Sequence, residues 1–108
     1  MIPYSRQHID KDDIDSVIQV LKSNFLTQGP TVRKFEKKIT SILKCKEAIA
    51  VNSATSALHI ACLALNVLKD DIVWTTPNSF VASAWSIANI GAKPKFVDVG
   101  SDYNIDPS

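Results

Sequence analysis

Asn52-Ser53-Ala54-Thr55-Ser56-Ala57-Leu58 lies between the apolar run Ala48-Ile49-Ala50-Val51 and an apolar stretch that continues to Leu65. How this turn is read decides the fold. An apolar tetrapeptide bounded by polar residues predicts a buried strand, and the longer run without a breaker predicts a helix. The chain is therefore expected to pass from strand to helix between Ser53 and Thr55. The first amides of a helix have no internal partner and carry the positive end of its dipole, so they hold an anion where neighbouring side chains are small. Ala54, Thr55 and Ser56 are small. Two readings stand together: Ser53 as an ordinary helix N-cap, favoured there whatever the function, and the turn as a cradle for phosphate.

The 108 residues, 45% hydrophobic and 21% charged, have the composition and length of one globular domain. Twelve basic and eleven acidic residues are mixed along the chain for a net charge of +1. That balance leaves no electrostatic footprint for nucleic acid or an anionic membrane. Lys37-Lys38 and Lys44 to Lys46 read as the solvated sides of a helix and its exit. The amino-terminal residues lack the apolar core of a signal sequence, and no apolar run approaches the roughly 20 residues that span a bilayer. A soluble, cytoplasmic protein is expected. Cys45 and Cys62 have neither CxxC spacing nor an adjacent histidine, so they read as reduced structural thiols and no metal site is expected.

Working outward, Asp10 to Asp13 followed by Ile14, Val17, Ile18 and Leu21 predicts a helix with acids at its first turn and one apolar stripe. Ile2-Pro3-Tyr4 before it reads as an extended arm. The loop after it, Ser23-Asn24-Phe25-Leu26-Thr27-Gln28-Gly29-Pro30, sets two large apolar residues beside small polar ones, so it either packs under another element or lines a pocket. Thr31 can cap a second helix with Val32, Phe35, Ile39, Ile42 and Leu43 on one face. The helix from Ala54 carries Leu58, Ile60, Ala61, Leu63, Ala64 and Leu65 all around it, which predicts burial on every side. His59 within it reads as a satisfied interior or interface histidine rather than a catalyst.

Ile72-Val73-Trp74-Thr75 predicts a second strand, broken by Thr76-Pro77-Asn78-Ser79. Ser79 can cap a helix over Phe80, Val81, Ala84, Ile87 and Ala88 that stops at Gly91, and Lys95 to Val99 predicts a third strand. Strand, helix, strand, helix, strand is the pattern of an α/β fold with a mainly parallel sheet and flanking helices. Ligands on such sheets bind beyond the carboxyl ends of the strands, where Ala54-Thr55, Phe80 and Asp98 are expected. The three glycines form neither GxGxxG nor GxxxxGK[ST]. What remains is a phosphate seat with Phe80 at its rim, where the ring either stacks on a flat heterocycle or packs in the core.

In this order the pieces Phe25 to Pro30, Phe35-Glu36, Val51 to His59, Asp71 to Pro77, Ser79 to Ala84, Phe96 to Val99 and Tyr103 to Asp106 resemble the amino-terminal part of the DegT/DnrJ/EryC1/StrS sugar aminotransferases. These are pyridoxal phosphate (PLP) enzymes of fold type I, and the resemblance runs from Tyr4 to Pro107. It implies that Ala54 and Thr55 bind the cofactor phosphate and that Phe80 stacks on its ring. It also implies that Tyr4, Asn24, Phe25, Leu26, Thr27 and Ala54 border the substrate. Ile2 to Tyr4, the Phe25 to Pro30 loop and Asp71 to Pro77 most resemble members that aminate C4 of a UDP-linked 4-keto-6-deoxy-N-acetylhexosamine in pseudaminic acid biosynthesis. Glutamate is the amino donor implied, and a homodimer the implied assembly. Trp85-Ser86 departs from the family, whose members often carry Asn and a small residue there.

None of the ten lysines matches the family's lysine motif. Residues 1–108 are thus expected to be an amino-terminal segment and the first part of the PLP-binding large domain. The Schiff-base lysine, the aspartate that pairs with the ring nitrogen and the small carboxy-terminal domain are expected outside this chain. Without them the piece alone is expected to be inactive, and its open sheet edge and apolar helix should make it sticky or dimeric in isolation. Alternatives are another nucleotide-sugar aminotransferase of the family, a non-catalytic phosphate-binding or regulatory module, and a structural assembly domain.

Overall fold

The computed structural model describes residues 2–106, so Pro107, the last residue of the resemblance, lies outside the described residues. The chain forms two compact units, Met1–Ala50 and Val51–Ser108.

The first unit contains α1 (Lys11–Leu21) and α2 (Pro30–Leu43). The helix α1 starts where the sequence suggests, and Asp10 is its cap: its carboxylate accepts the amides of Asp12 at 2.9 Å and Asp13 at 3.1 Å, and the Asp13 carboxylate accepts the Asp10 amide at 3.1 Å. This reciprocal box satisfies three otherwise orphaned donors. Lys11 and Asp15 form an ion pair one turn apart on α1. Thr31 does not cap α2. Extended Gly29 is its N-cap and Pro30 its first residue, because proline's missing N–H and fixed φ suit that position.

The second unit contains α3 (Ala54–Ala64), β1 (Ile72–Thr75), α4 (Ala82–Ala88) and β2 (Lys93–Phe96). The strands pair in parallel, with Ile72 opposite Lys93 and Thr75 opposite Phe96. Helix α4 is the crossover between them and packs on both strands and on α3. Its inner face supplies Ala82, Ser86 and Ile87, which with Ala92 form the buried core among the described residues. Ser86, 1% exposed, donates its hydroxyl to the Ala82 carbonyl at 2.7 Å, so its polar group enters the core satisfied. Asp70 and Gly91 join the turns at the start of the strands: the Asp70 amide donates to the Gly91 carbonyl at 3.0 Å, and the side chains of Lys93 and Asp70 pair at 2.8 Å.

Four further expectations change. Ala48 to Val51 is not a strand: no described segment pairs with it, and the Ala50 amide is taken by the Glu36 carboxylate at 2.9 Å. The third strand lies at Lys93–Phe96 rather than Lys95 to Val99, and Val99 instead bridges Ile105 in antiparallel fashion. Helix α4 starts at Ala82, with Val81 as its N-cap. The Ser79 hydroxyl sits 2.9 Å from that of Ser83 rather than on a helix amide. Finally, α3 has no buried residue, with Leu58 42% and Leu63 50% exposed, because α4 covers only one of its flanks.

Candidate functional site

The site begins where α3 begins. Ser53 is extended, and its Oγ accepts the Ser56 amide at 3.1 Å. The Ser56 hydroxyl donates to Asn52 Oδ1 at 2.7 Å, and the first helical bond runs from the Ala57 amide to the Ser53 carbonyl at 3.0 Å. The third and fourth amides are thus occupied, while those of Ala54 and Thr55 have no partner among the described residues. Capping and anion binding therefore do not compete at this turn. Ser53 closes one donor and leaves two open at the positive end of the helix. The Thr55 hydroxyl is also free among the described residues.

Thr55 lines a depression of about 230 Å³ together with Ser56, His59, Ile60 and Trp85. The rings of His59 and Trp85 lie 6.1 Å apart at 42°, and His59 Nδ1 is 3.3 Å from the Asn89 carboxamide nitrogen. His59 is thus held between α3 and α4, in keeping with its structural reading. Trp85 is a residue whose place sequence reasoning missed. Its signal was the departure from the family pattern, but only the packing of α4 on α3 brings it to the wall beside Thr55.

Phe80 lines a second depression, of about 240 Å³, with Thr76, Pro77, Ser79, Val81, Ala84 and Phe96. It opens where the carboxyl ends of β1 and β2 lead, as the parallel topology requires. The Phe80 ring is exposed rather than packed in the core, which leaves it available for stacking. Thr55 and Phe80 thus line separate depressions of the second unit, and Ala54 lines neither. Asp98 follows β2, and its carboxylate accepts the Val99 amide at 2.8 Å. It lines neither depression.

The remaining site candidates belong to the first unit. Tyr4 is fully exposed, and Asn24, Leu26 and Thr27 are exposed. Phe25 lines a depression of about 300 Å³ with residues of α1 and α2, among them Val20, Pro30 and Lys34. Ser23 Oγ both accepts the Phe25 amide at 3.2 Å and donates to its carbonyl at 3.1 Å, which fixes this loop. A Cβ at Gly29 would come within 2.7 Å of Phe25 Cβ, so the glycine permits the close turn. Both large apolar loop residues are exposed, Phe25 at 59% and Leu26 at 67%, and of the two Phe25 lines this depression. Cys45 and Cys62 are free thiols. Among the described residues no helix is long and apolar enough to cross a membrane.

Residues 7–108 match the DegT/DnrJ/EryC1/StrS aminotransferase family. The chain belongs to that family. It is 46% identical, over 106 residues, to the UDP-4-amino-4,6-dideoxy-N-acetyl-beta-L-altrosamine transaminase of Campylobacter jejuni, covering 98% of this chain and 28% of that protein. PseC of Helicobacter pylori, an aminotransferase involved in the biosynthesis of pseudoaminic acid, superposes with a TM-score of 0.89 at 39% identity, over 96% of this chain and 29% of its own. Spr1654 of Streptococcus pneumoniae, solved in PLP and PMP forms, superposes with a TM-score of 0.89 at 30% identity, over 97% of this chain and 27% of its own. The chain thus spans a little over a quarter of the relatives it matches, and its α/β architecture is part of the aminotransferase fold of this family. Pyridoxal phosphate ends in a phosphate dianion, and the donor set at the start of α3 fits it: two unpartnered amides, a free hydroxyl and small side chains.

Proposed function

We propose that residues 1–108 are the amino-terminal segment and first part of the PLP-binding large domain of a nucleotide-sugar aminotransferase. The observation that carries this reading is the pair of open amides at Ala54 and Thr55 in a chain of this family. When bound, pyridoxal phosphate supplies an aldehyde and an electron-withdrawing ring for amino-group transfer. The Ala54 and Thr55 amides and the Thr55 hydroxyl hold its phosphate, with the helix dipole favouring the dianion. Phe80 offers its exposed ring as a stacking face. Tyr4 and Asn24 to Thr27 in the first unit, and Ala54 in the second, are the candidates for substrate contact. The proton-moving base in this reading is the Schiff-base lysine, which belongs elsewhere in the enzyme.

The substrate in this reading is a UDP-4-keto-6-deoxy-N-acetylhexosamine aminated at C4, with glutamate as donor and a homodimer as the working assembly. The 46% identity to the Campylobacter jejuni transaminase supports it. Trp85 beside Thr55 favours keeping a second reading, another nucleotide-sugar aminotransferase of the family.

Titration of the full-length protein with pyridoxal phosphate, followed by visible absorbance, is expected to saturate. Thr55→Asp places a carboxylate against the phosphate and is expected to weaken binding at least about tenfold. Unchanged affinity in that variant would remove the α3 terminus from the cofactor site. Mass spectrometry after incubation with glutamate and several UDP-4-keto sugars tests the substrate separately. Amination of a different sugar would select the second reading.

A further inference from the structure

We propose that the depression between α2 and the loop after it is a binding site for an oligophosphate anion, of which inorganic diphosphate is the simplest. Arg33, Glu36, Lys37 and Thr40 line it from one side of α2, at helical spacing, and Lys46, Glu47 and Ala48 line it from the loop. Its volume is about 370 Å³. It lies wholly in the first unit and shares no residue with the Thr55 depression.

Specific contacts build this shape. After α2, Lys44 turns the chain in the left-handed region (φ 53°), and the Cys45 thiol donates to the Glu47 carbonyl at 3.3 Å. The Glu36 carboxylate then accepts the Ala50 amide at 2.9 Å, a contact that spans 14 residues and ties the loop back to the helix. The tie brings Lys46 to the same depression as Arg33 and Lys37.

The two ion pairs among the described residues, Lys11–Asp15 and Lys93–Asp70, lie elsewhere. Arg33, Lys37 and Lys46 therefore have no carboxylate partner there. Residues 33–47 hold six basic and two acidic side chains, a local charge of +4 in a chain whose total is +1. Of these, Arg33, Lys37 and Lys46 line the depression beside the carboxylates of Glu36 and Glu47, so the lining itself carries a net charge of +1. A guanidinium grips two phosphate oxygens at once and ammonium groups add point charges, which suits a ligand with several anionic oxygens.

The test is calorimetric titration of the full-length protein with inorganic diphosphate. Saturable binding is expected, and Lys37→Ala with Lys46→Ala together should weaken it on the order of tenfold. Glu47→Gln removes the lining carboxylate that is not tied to Ala50 and should tighten binding several-fold, a gain that misfolding cannot imitate. Thr55→Asp should leave the affinity unchanged. The proposal fails if wild-type protein shows no saturable binding, if the double variant binds as wild type does, if Glu47→Gln gives no gain, or if Thr55→Asp abolishes the heat of binding.

Discussion

The first unit carries the two longest amphipathic helices of the chain, yet neither α1 nor α2 contains a buried residue. The second unit, built from strands of four residues and a crossover helix of seven, holds the buried core of the described residues in Ala82, Ser86, Ile87 and Ala92. The contrast separates two properties that a sequence pattern tends to merge. Amphipathicity says which face of a helix seeks a cover, whereas burial requires that a second layer arrive. In the second unit, α4 packs on α3 and on both strands, so that layer is present.

The largest expected effect breaks this contrast directly. Ile87 is 4% exposed, and Ile87→Ala is expected to cost about 2–4 kcal/mol in urea unfolding of the 108-residue chain. Ile14 is 52% exposed, so Ile14→Ala should cost under about 1 kcal/mol in the same experiment. Equal losses would show that the face of α1 is covered in solution.

Next comes the turn that feeds β2. Gly91 has φ +84°, and a Cβ there would meet Lys69 Cγ at 3.2 Å. Gly91→Ala is expected to cost about 1–2 kcal/mol, read as a lower urea midpoint with an unchanged slope. In the first unit, Asp10→Ala removes the capping box and should cost about 1 kcal/mol. Faster amide exchange confined to the first turn of α1 is the signature, and exchange spread into the second unit would contradict it.

The smallest effect concerns pH. The side-chain hydrogen bond from Asn104, followed by the Asn104 amide, holds the exposed Asp102 carboxyl below its usual range. A lowered folded-state pKa adds stability above the unfolded pKa and loses it as pH falls through the folded value. Titration of the Asp102 carboxyl by NMR should therefore show a low midpoint that rises in Asn104→Ala. An unmoved midpoint would assign the shift to another cause.

Much of this fold was legible because its signals are local. The acidic first turn and apolar stripe of α1, the β-branched run at Ile72 to Val73 and the small residues after Ser53 act within one turn or one strand. The errors arose where the deciding partner is distant. Ala48 to Val51 has a strand's composition, but a strand exists only when another backbone pairs with it, and here Glu36 takes the Ala50 amide. Apolarity around α3 likewise expressed a demand for cover that α4 meets on one flank only.

The candidate site divides in the same way. From the sequence came the helix start at Ala54, the open amides that any helix terminus carries, and the family to which the chain belongs. Each depends on neighbouring residues or on the order of motifs along the chain. The tertiary structure decided that Phe80 stays exposed, that Trp85 joins the wall beside Thr55, and that Lys46 folds back toward Arg33 and Lys37. Those placements arise from packing and hydrogen bonds between residues far apart in the chain, which no local spacing encodes.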